Sequence, residues 1–200
     1  MLLKTNTVPN QVEFKKGYKK LELNYCLYLQ KLFPYLDVLQ TETGPFIILK
    51  QPINIGHLSF FLKYHTNAQF KVLVDICASD YPDQRCRFEL IYNFLSVTYG
   101  KRLNIIVYLE NAQTHLSLTA FFSSANWIER EIWDFFGIFF YNHNDLRRIL
   151  TDYGFKGHPL RKDFPLSGYI ETLYNDFDKK IDYVEVSLPQ KYRAFSLTMI

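Results

Sequence analysis

Apolar residues recur along this chain with two periods, and the switches between them mark its elements. From Tyr18 to Leu32, the residues Leu21, Tyr25, Tyr28, Leu29 and Leu32 fall three or four apart, which predicts a helix. Pro34 stops it. Two short strands follow, 35–40 and 46–50, divided by a Gly44-Pro45 turn. Ile55, Leu58, Phe61 and Leu62 restore helical spacing up to about Tyr64. Val72, Val74, Ile76 and Ala78 then alternate with Lys71, Leu73, Asp75 and Cys77. The stretch 87–97 is aromatic and aliphatic, and 103–109 (LNIIVYL) is dense in β-branched residues, so three strands are predicted. The turns at Tyr81-Pro82-Asp83 and Tyr99-Gly100-Lys101 are short, which favours antiparallel pairing.

A third helix is expected over 125–136. Ser123 and Ser124 are N-cap candidates, and Gly137 suits the left-handed residue that ends a helix. Ile128, Ile132, Phe135 and Phe136 share one face. Arg130 and Asp134 are four apart, where they can pair, and Glu129 and Glu131 lie early, where the helix dipole favours acids. The pattern describes an α+β fold: a mixed, mostly antiparallel sheet with helices on one face. An extended C-terminal arm with little regular structure follows. The expected divisions are a lead-in over 1–17, the α+β domain over 18–140 and a partner-binding arm over 141–200.

The arm is inferred from a change of character. After Tyr141 the periodicity weakens, and Pro159, Pro165 and Pro189 forbid long regular elements. Gly154, Gly157 and Gly168 mark turns. Phe155, Phe164, Tyr169 and Tyr174 nevertheless persist, where a solvated tail would shed them. About fifty irregular residues are uncommon inside a compact domain. Aromatic and arginine side chains are the types that interfaces enrich, so the segment reads as buried on another protein.

Composition narrows the chemistry. The 200 residues carry a net charge of +3, too weak to argue for nucleic acid by itself. Lys15, Lys16, Lys19 and Lys20 form the densest basic cluster, which reads as a solvated helix start. Three cysteines without a CxxC argue against a disulfide framework and for a reducing compartment. An iron–sulfur cluster usually needs four closely spaced cysteines, so the chain is expected to carry none. Cys26, Cys77 and Cys86 read as buried, inert thiols. No apolar run approaches the roughly 20 residues that span a bilayer. The amino terminus resembles neither a secretory signal nor an arginine-rich presequence. Phe, Tyr, Met, Ile, Asn and Lys together number 77, while alanine numbers only 6, which suggests an AT-rich gene such as an organellar one.

His143, Asp145, Asp152, His158 and Asp163 lie close in sequence and could ligate a divalent metal. A metal-dependent hydrolase built on His143, Asp145 and His158 is therefore the alternative reading. The spacing matches no tight ligand pattern, and Arg147, Arg148, Arg161 and Lys162 crowd the stretch with opposing charge. A polar loop pinned to a partner explains the residues better. No GxGxxG or GxxxxGK[ST] occurs, so salt bridges to an acidic partner are favoured over phosphate.

The stretch 127–169, WIEREIWDFFGIFFYNHNDLRRILTDYGFKGHPLRKDFPLSGY, resembles the thirty-kilodalton subunit family of respiratory complex I, in its mitochondrial form. Glu129, Arg130, Glu131, Asp134, Phe136, Gly137, Ile138 and Phe140 fit the first part of the family pattern. His143, 145–155 and 157–169 fit the second, and Glu171 follows. The block 80–102 resembles the family's DYP…RFE segment. Asn142, Asn144, Phe135 and Gly100 depart from it, which alters local turns only.

The resemblance implies a core structural subunit of the peripheral arm of complex I, supporting NADH-to-ubiquinone electron transfer without an active site or redox centre of its own. NADH, FMN, iron–sulfur clusters and ubiquinone are then expected on other subunits. The implied place is the matrix side of the mitochondrial inner membrane. Other complex I subunits, chiefly the large quinone-site subunit, are the implied partners, with no nucleic acid and no direct membrane span. Expected interface residues are Arg147, Arg148, Asp152, Tyr153, Phe155, His158, Arg161, Lys162, Asp163, Phe164 and Tyr169.

Overall fold

The structure is a computed structural model that describes residues 19–41 and 44–187. The lead-in with Lys15 and Lys16, the side chains of Lys19, Lys20, Leu21 and Glu22, and residues 188–200 with Pro189 fall outside it.

Strands β1 (Leu36–Gln40) and β2 (Pro45–Leu49) form a hairpin. The Thr41 hydroxyl donates to the Gly44 carbonyl at 2.7 Å and closes its turn. Helix α2 (Ile55–Tyr64) enters through a short 3-10 turn whose first residue is Pro52, which pre-sets the turn's φ. Then β3 (Val72–Asp80), β4 (Phe88–Ser96) and β5 (Lys101–Leu109) run as an antiparallel meander. The sheet order is β1-β2-β5-β4-β3, with β2 and β5 parallel, so the expected mixed, mostly antiparallel sheet is present.

Strand β4 shows why the sheet has one covered face. Phe88, Leu90, Tyr92, Phe94 and Ser96 are buried, and the residues between them are half-exposed. That period of two places the buried set with Ile47, Leu49, Ile105 and Val107 under the helices. Helix α1 (Lys19–Leu32) lies on β1 and β2, and α3 (Ala125–Phe136) lies on β3. Each Leu or Phe side chain buried there stabilises the fold by about 1.5–3 kcal/mol.

Three local expectations are corrected. On α1, Cys26 and Leu29 are buried, whereas Tyr28 and Leu32 are exposed. The helix rests on a two-stranded margin of the sheet, which covers a narrower stripe than the periodicity implied. Cys77 is exposed, because it alternates with the buried Ile76 and so points away from the helices. Cys86 is only partly buried, so the inert buried thiol describes Cys26 alone.

Beyond α3, β6 (His115–Leu116) pairs in parallel with β7 (Phe140–Tyr141). Strands β8 (Ile170–Asn175) and β9 (Lys180–Glu185) then form a separate antiparallel hairpin. The arm is therefore more regular than expected after Gly168. Ile170, Thr172 and Tyr174, with Ile181 and Tyr183, alternate around the turn at 176–179, a period too brief to stand out in the sequence.

Candidate functional site

The residues of the 127–169 stretch meet around α3 and the strap that follows it. Helix α3 ends at Gly137, whose φ of 72° is left-handed and whose N–H donates to the Trp133 carbonyl. A side chain there would also meet the His158 ring at 2.5 Å, so the strap needs the bare backbone. The start of the helix differs from expectation. Ser124 has helical dihedrals and makes no cap; its hydroxyl donates to the Leu73 carbonyl at 2.9 Å and ties α3 to β3.

Asp134 is the hub of the strap. Its buried carboxylate accepts N–H bonds from Ile149, Leu150 and Thr151, at 3.2, 2.8 and 2.9 Å. It also accepts the Thr151 hydroxyl at 2.6 Å and the Arg148 guanidinium at 3.2 Å. Burial pushes this carboxyl up, but the Thr151 hydroxyl and the three N–H groups outweigh it and hold it below its ordinary value. The expected Arg130–Asp134 pair does not form. Arg130 instead donates to the Arg147 carbonyl and stacks on Trp127.

The strap then returns across the helix end. His158 Nδ1 meets the Asp134 carbonyl at 3.0 Å, Arg161 donates to the Phe136 carbonyl, and the Leu160 N–H donates to Phe135. A second tie reaches the sheet. The Asp80 carboxylate accepts two bonds from Arg87, at 2.7 and 2.9 Å, and the Lys162 N–H at 2.8 Å. Arg87 also pairs with Asp163 at 3.0 Å. The Arg87 guanidinium holds both Asp80 and Asp163 below the usual carboxylate range.

A buried polar pocket lies where β6 meets α3. Glu129, expected only to suit the helix dipole, is fully buried. Its carboxyl accepts the Leu118 N–H at 2.8 Å and contacts the Ser117 hydroxyl at 2.6 Å. Burial pushes it up to about 7, partly offset by those two hydrogen bonds. His143, with its side chain buried, lies 4.0 Å away. Its Nδ1 faces the Asp145 N–H and its Nε2 the Asn126 carbonyl, which places its proton on Nε2. Beside them, His115 is buried with no hydrogen-bond partner on either ring nitrogen among the described residues, and burial lowers it to about 4. The Tyr92 hydroxyl is likewise buried without a partner.

These ties divide the expected interface residues. Arg148, His158 and Arg161 spend their polar groups inside the chain, and Lys162 ties in through its backbone. Asp163 pairs with Arg87, while the Arg147 side chain pairs with its near neighbour Asp145 at the surface. Phe155, Phe164 and Tyr169 form a chain of ring contacts, with Tyr169 largely exposed. Tyr153 is 97% exposed, and Asp152 accepts the Tyr183 hydroxyl at 3.4 Å.

Among the described residues, no group of three or more His, Cys, Asp and Glu side chains could hold a metal ion. His143 and His158 are engaged separately along α3, so the hydrolase reading is not favoured. Sequence reasoning missed Asp80, Glu129 and Asp134 as anchors. Their signal lay in the family pattern, where Glu129 and Asp134 fall in the ERE and DFF stretches and Asp80 in the DYP block, but nothing local gave them an anchoring role.

The class is thus a small α+β sandwich carrying a long strap that is tied to one helix and one sheet edge. Residues 50–170 match the family model described as the respiratory-chain NADH dehydrogenase 30 Kd subunit, and the chain belongs to that family. It is 45% identical over 175 residues to NADH-ubiquinone oxidoreductase subunit 9 of Reclinomonas americana, covering 87% of this chain and 86% of that one. It is 54% identical over 136 residues to the subunit 9 of Prototheca wickerhamii, covering 68% and 71%. A protein of Beta trigyna named NADH dehydrogenase [ubiquinone] iron-sulfur protein 3 is 51% identical over 135 residues, covering 68% and 70%. Among solved structures, a trypsin-resistant fragment of Nqo5 aligns with 62% of this chain and 99% of its own, at a TM-score of 0.53 and 26% identity. A chain of an archaeal membrane-bound sulfane sulfur reductase shares the fold, with a TM-score of 0.59 and 21% identity over 72% of this chain and 85% of that one.

Proposed function

We propose that this chain is a structural subunit of the peripheral arm of a proton-translocating NADH:ubiquinone oxidoreductase, with no redox centre or active site of its own. Family membership supports the assembly. Three cysteines spread over α1, β3 and the loop before β4 support the lack of a cluster, which takes four closely spaced ligands. In this reading NADH, FMN, the clusters and ubiquinone bind elsewhere. The subunit sits at the matrix side of the mitochondrial inner membrane, reached through partners. In keeping with that, no described helix is long and apolar enough to cross a membrane.

The observation that carries the proposal is the way the strap faces two directions. Arg148, Arg161, Asp163 and the N–H groups of Leu150 and Lys162 are tied inward to α3 and the sheet edge, while Leu150, Tyr153, Leu160, Leu166 and Tyr169 point their side chains outward, each at least half exposed. Rigid backbone behind exposed aromatic and aliphatic side chains is the make-up of a docking surface. The proposed partner is the large quinone-site subunit. The proposed division is a body over 18–140 and a docking arm over 141–200. That a related protein was solved as a trypsin-resistant fragment is consistent with such a division.

Limited trypsinolysis tests it. Lys156 and Lys162 are exposed in the chain alone, so cleavage there is expected in the purified chain and lost in the assembled complex. Equal cleavage in both states contradicts the docking arm.

A further inference from the structure

The β8–β9 hairpin stands outside the core, and its two faces differ. Cross-strand pairing puts Ile170, Thr172 and Tyr174 beside Glu185, Tyr183 and Ile181 on one face. The other face carries Glu171, Leu173 and Asn175 beside Val184, Asp182 and Lys180. The second face carries one exposed apolar side chain, Leu173, among polar contacts. Asn175 donates to Asp182 at 3.0 Å, and Lys180 pairs with Asp182 at 3.5 Å. The first face is apolar and open. Ile170, Tyr174, Ile181 and Tyr183 are 49%, 58%, 62% and 61% exposed, and Phe177 at the turn is 98% exposed.

A two-stranded ribbon alone is marginal in water. Four large apolar side chains on one side of it are a face made to be covered. The ribbon also walls one side of a cleft of about 600 Å³, whose opposite side is Tyr153, Phe155 and Phe164. The cleft is held at its base by the Tyr183 hydroxyl on Asp152.

Charge selects the occupant. Residues 170–185 carry five carboxylates and two lysines. Lys180 is spent on Asp178 and Asp182; among the described residues, Glu185 on the apolar face, Asp176 at the turn and Glu171 in the cleft wall have no ion pair. A second copy of this ribbon would bring like charges together, and an anionic bilayer would repel it. We propose that the ribbon's Ile170–Tyr183 face and the adjoining cleft receive an apolar element of a neighbouring subunit bordered by lysines. The proposal rests on the functional reading above. It adds a second contact, of opposite electrostatic sense to the salt bridges first expected for the arm's arginines.

The test uses the purified complex and a carbodiimide, which joins carboxylates to lysine amines at zero length. Coupling of Glu171, Asp176 or Glu185 to lysines of one neighbouring chain is expected. A Tyr174→Thr, Ile181→Thr chain keeps strand-forming residues and should enter the complex at least about tenfold less well than wild type in direct competition. Its circular dichroism should match wild type, which separates lost docking from lost folding. Coupling between two ribbons, binding of the wild-type chain to phosphatidylserine vesicles through this face, or an uncoupled ribbon with unimpaired entry of the variant would each overturn the proposal. A wild-type chain that enters no multi-subunit assembly overturns the functional reading and this one with it. A wild-type chain that enters with its ribbon uncoupled overturns only this one.

Discussion

Replacing Asp134 by alanine is expected to destabilise the strap by about 3–5 kcal/mol, the cost of breaking a buried, hydrogen-bonded charge pair from one side. Three N–H groups, the Thr151 hydroxyl and Arg148 would lose their common acceptor. Each buried donor left unpaired costs about 1–3 kcal/mol, so residues 149–151 are expected to leave α3 and seek water. The core beneath is unaffected, because Ile132 and Ala125 hold α3 independently. Hydrogen exchange separates the two effects. The Ile149, Leu150 and Thr151 amides should lose at least about a hundredfold of protection, while those of β4 keep theirs. Asp134→Asn retains one acceptor oxygen and should fall between. The sign with pH follows from the lowered carboxyl. Its contribution is full above the ordinary carboxylate range and is lost as pH falls through its lowered value in the fold.

Glu129 and His115 give the second large effect, and they act in opposite directions. Glu129 rises to about 7 in the fold, so its contribution is complete below the ordinary glutamate range and disappears as pH climbs through 7. His115 falls to about 4, so its contribution is complete above the ordinary histidine range and disappears as pH drops through 4. Each displacement corresponds to about 3 kcal/mol. Between roughly pH 4.5 and 6.5 the two nearly cancel, and the wild-type chain should show a flat stability profile from this pair. Glu129→Gln removes one side of the balance. The amide oxygen can still accept the Leu118 N–H, and the amide nitrogen can donate to Ser117. Urea unfolding should therefore find the variant close to wild type near pH 4 and more stable by about 3 kcal/mol at pH 8. Parallel profiles for the two proteins would show that Glu129 is not held protonated by burial.

Much of the body was legible because its strands and helices obey simple periods. Strand β4 and the Gly137 stop stand where they were expected, whereas the alternation expected of Val72, Val74, Ile76 and Ala78 is broken by a register shift between Leu73 and Asp75, which buries Leu73 and exposes Val72 and Val74. The α1 stripe was misjudged because periodicity gives a face but not how wide a surface lies beneath it. Arg130 and Asp134 illustrate the harder failure. Spacing allowed them to pair, but Asp134 had better donors in a segment fourteen or more residues away, and no local rule anticipates that. Glu129 was misplaced for the same reason. A helix-dipole argument sees an acid in the second turn, whereas the pocket closed by Ser117 and Leu118 comes from the loop after β6, twelve and eleven residues earlier. The β8–β9 hairpin escaped notice because three alternating residues per strand barely exceed chance, and turns flank them.

The inward ties of the strap also change which substitutions are informative about docking. Arg161→Glu would break the helix-end contacts before it touched a partner, since Arg161 donates to the Phe136 carbonyl. Arg147, exposed and paired with its neighbour Asp145 at the surface, is the cleaner probe of an acidic partner surface.

The most direct measurement is native gel electrophoresis of a mitochondrial extract containing the tagged chain, stained in the gel for NADH oxidation and probed for the tag. The chain is expected to migrate with the NADH-oxidising assembly at high mass, and the purified chain alone to migrate as a small species without activity. A tagged chain absent from the active band, or a purified chain that oxidises NADH unaided, would contradict its assignment as a structural subunit.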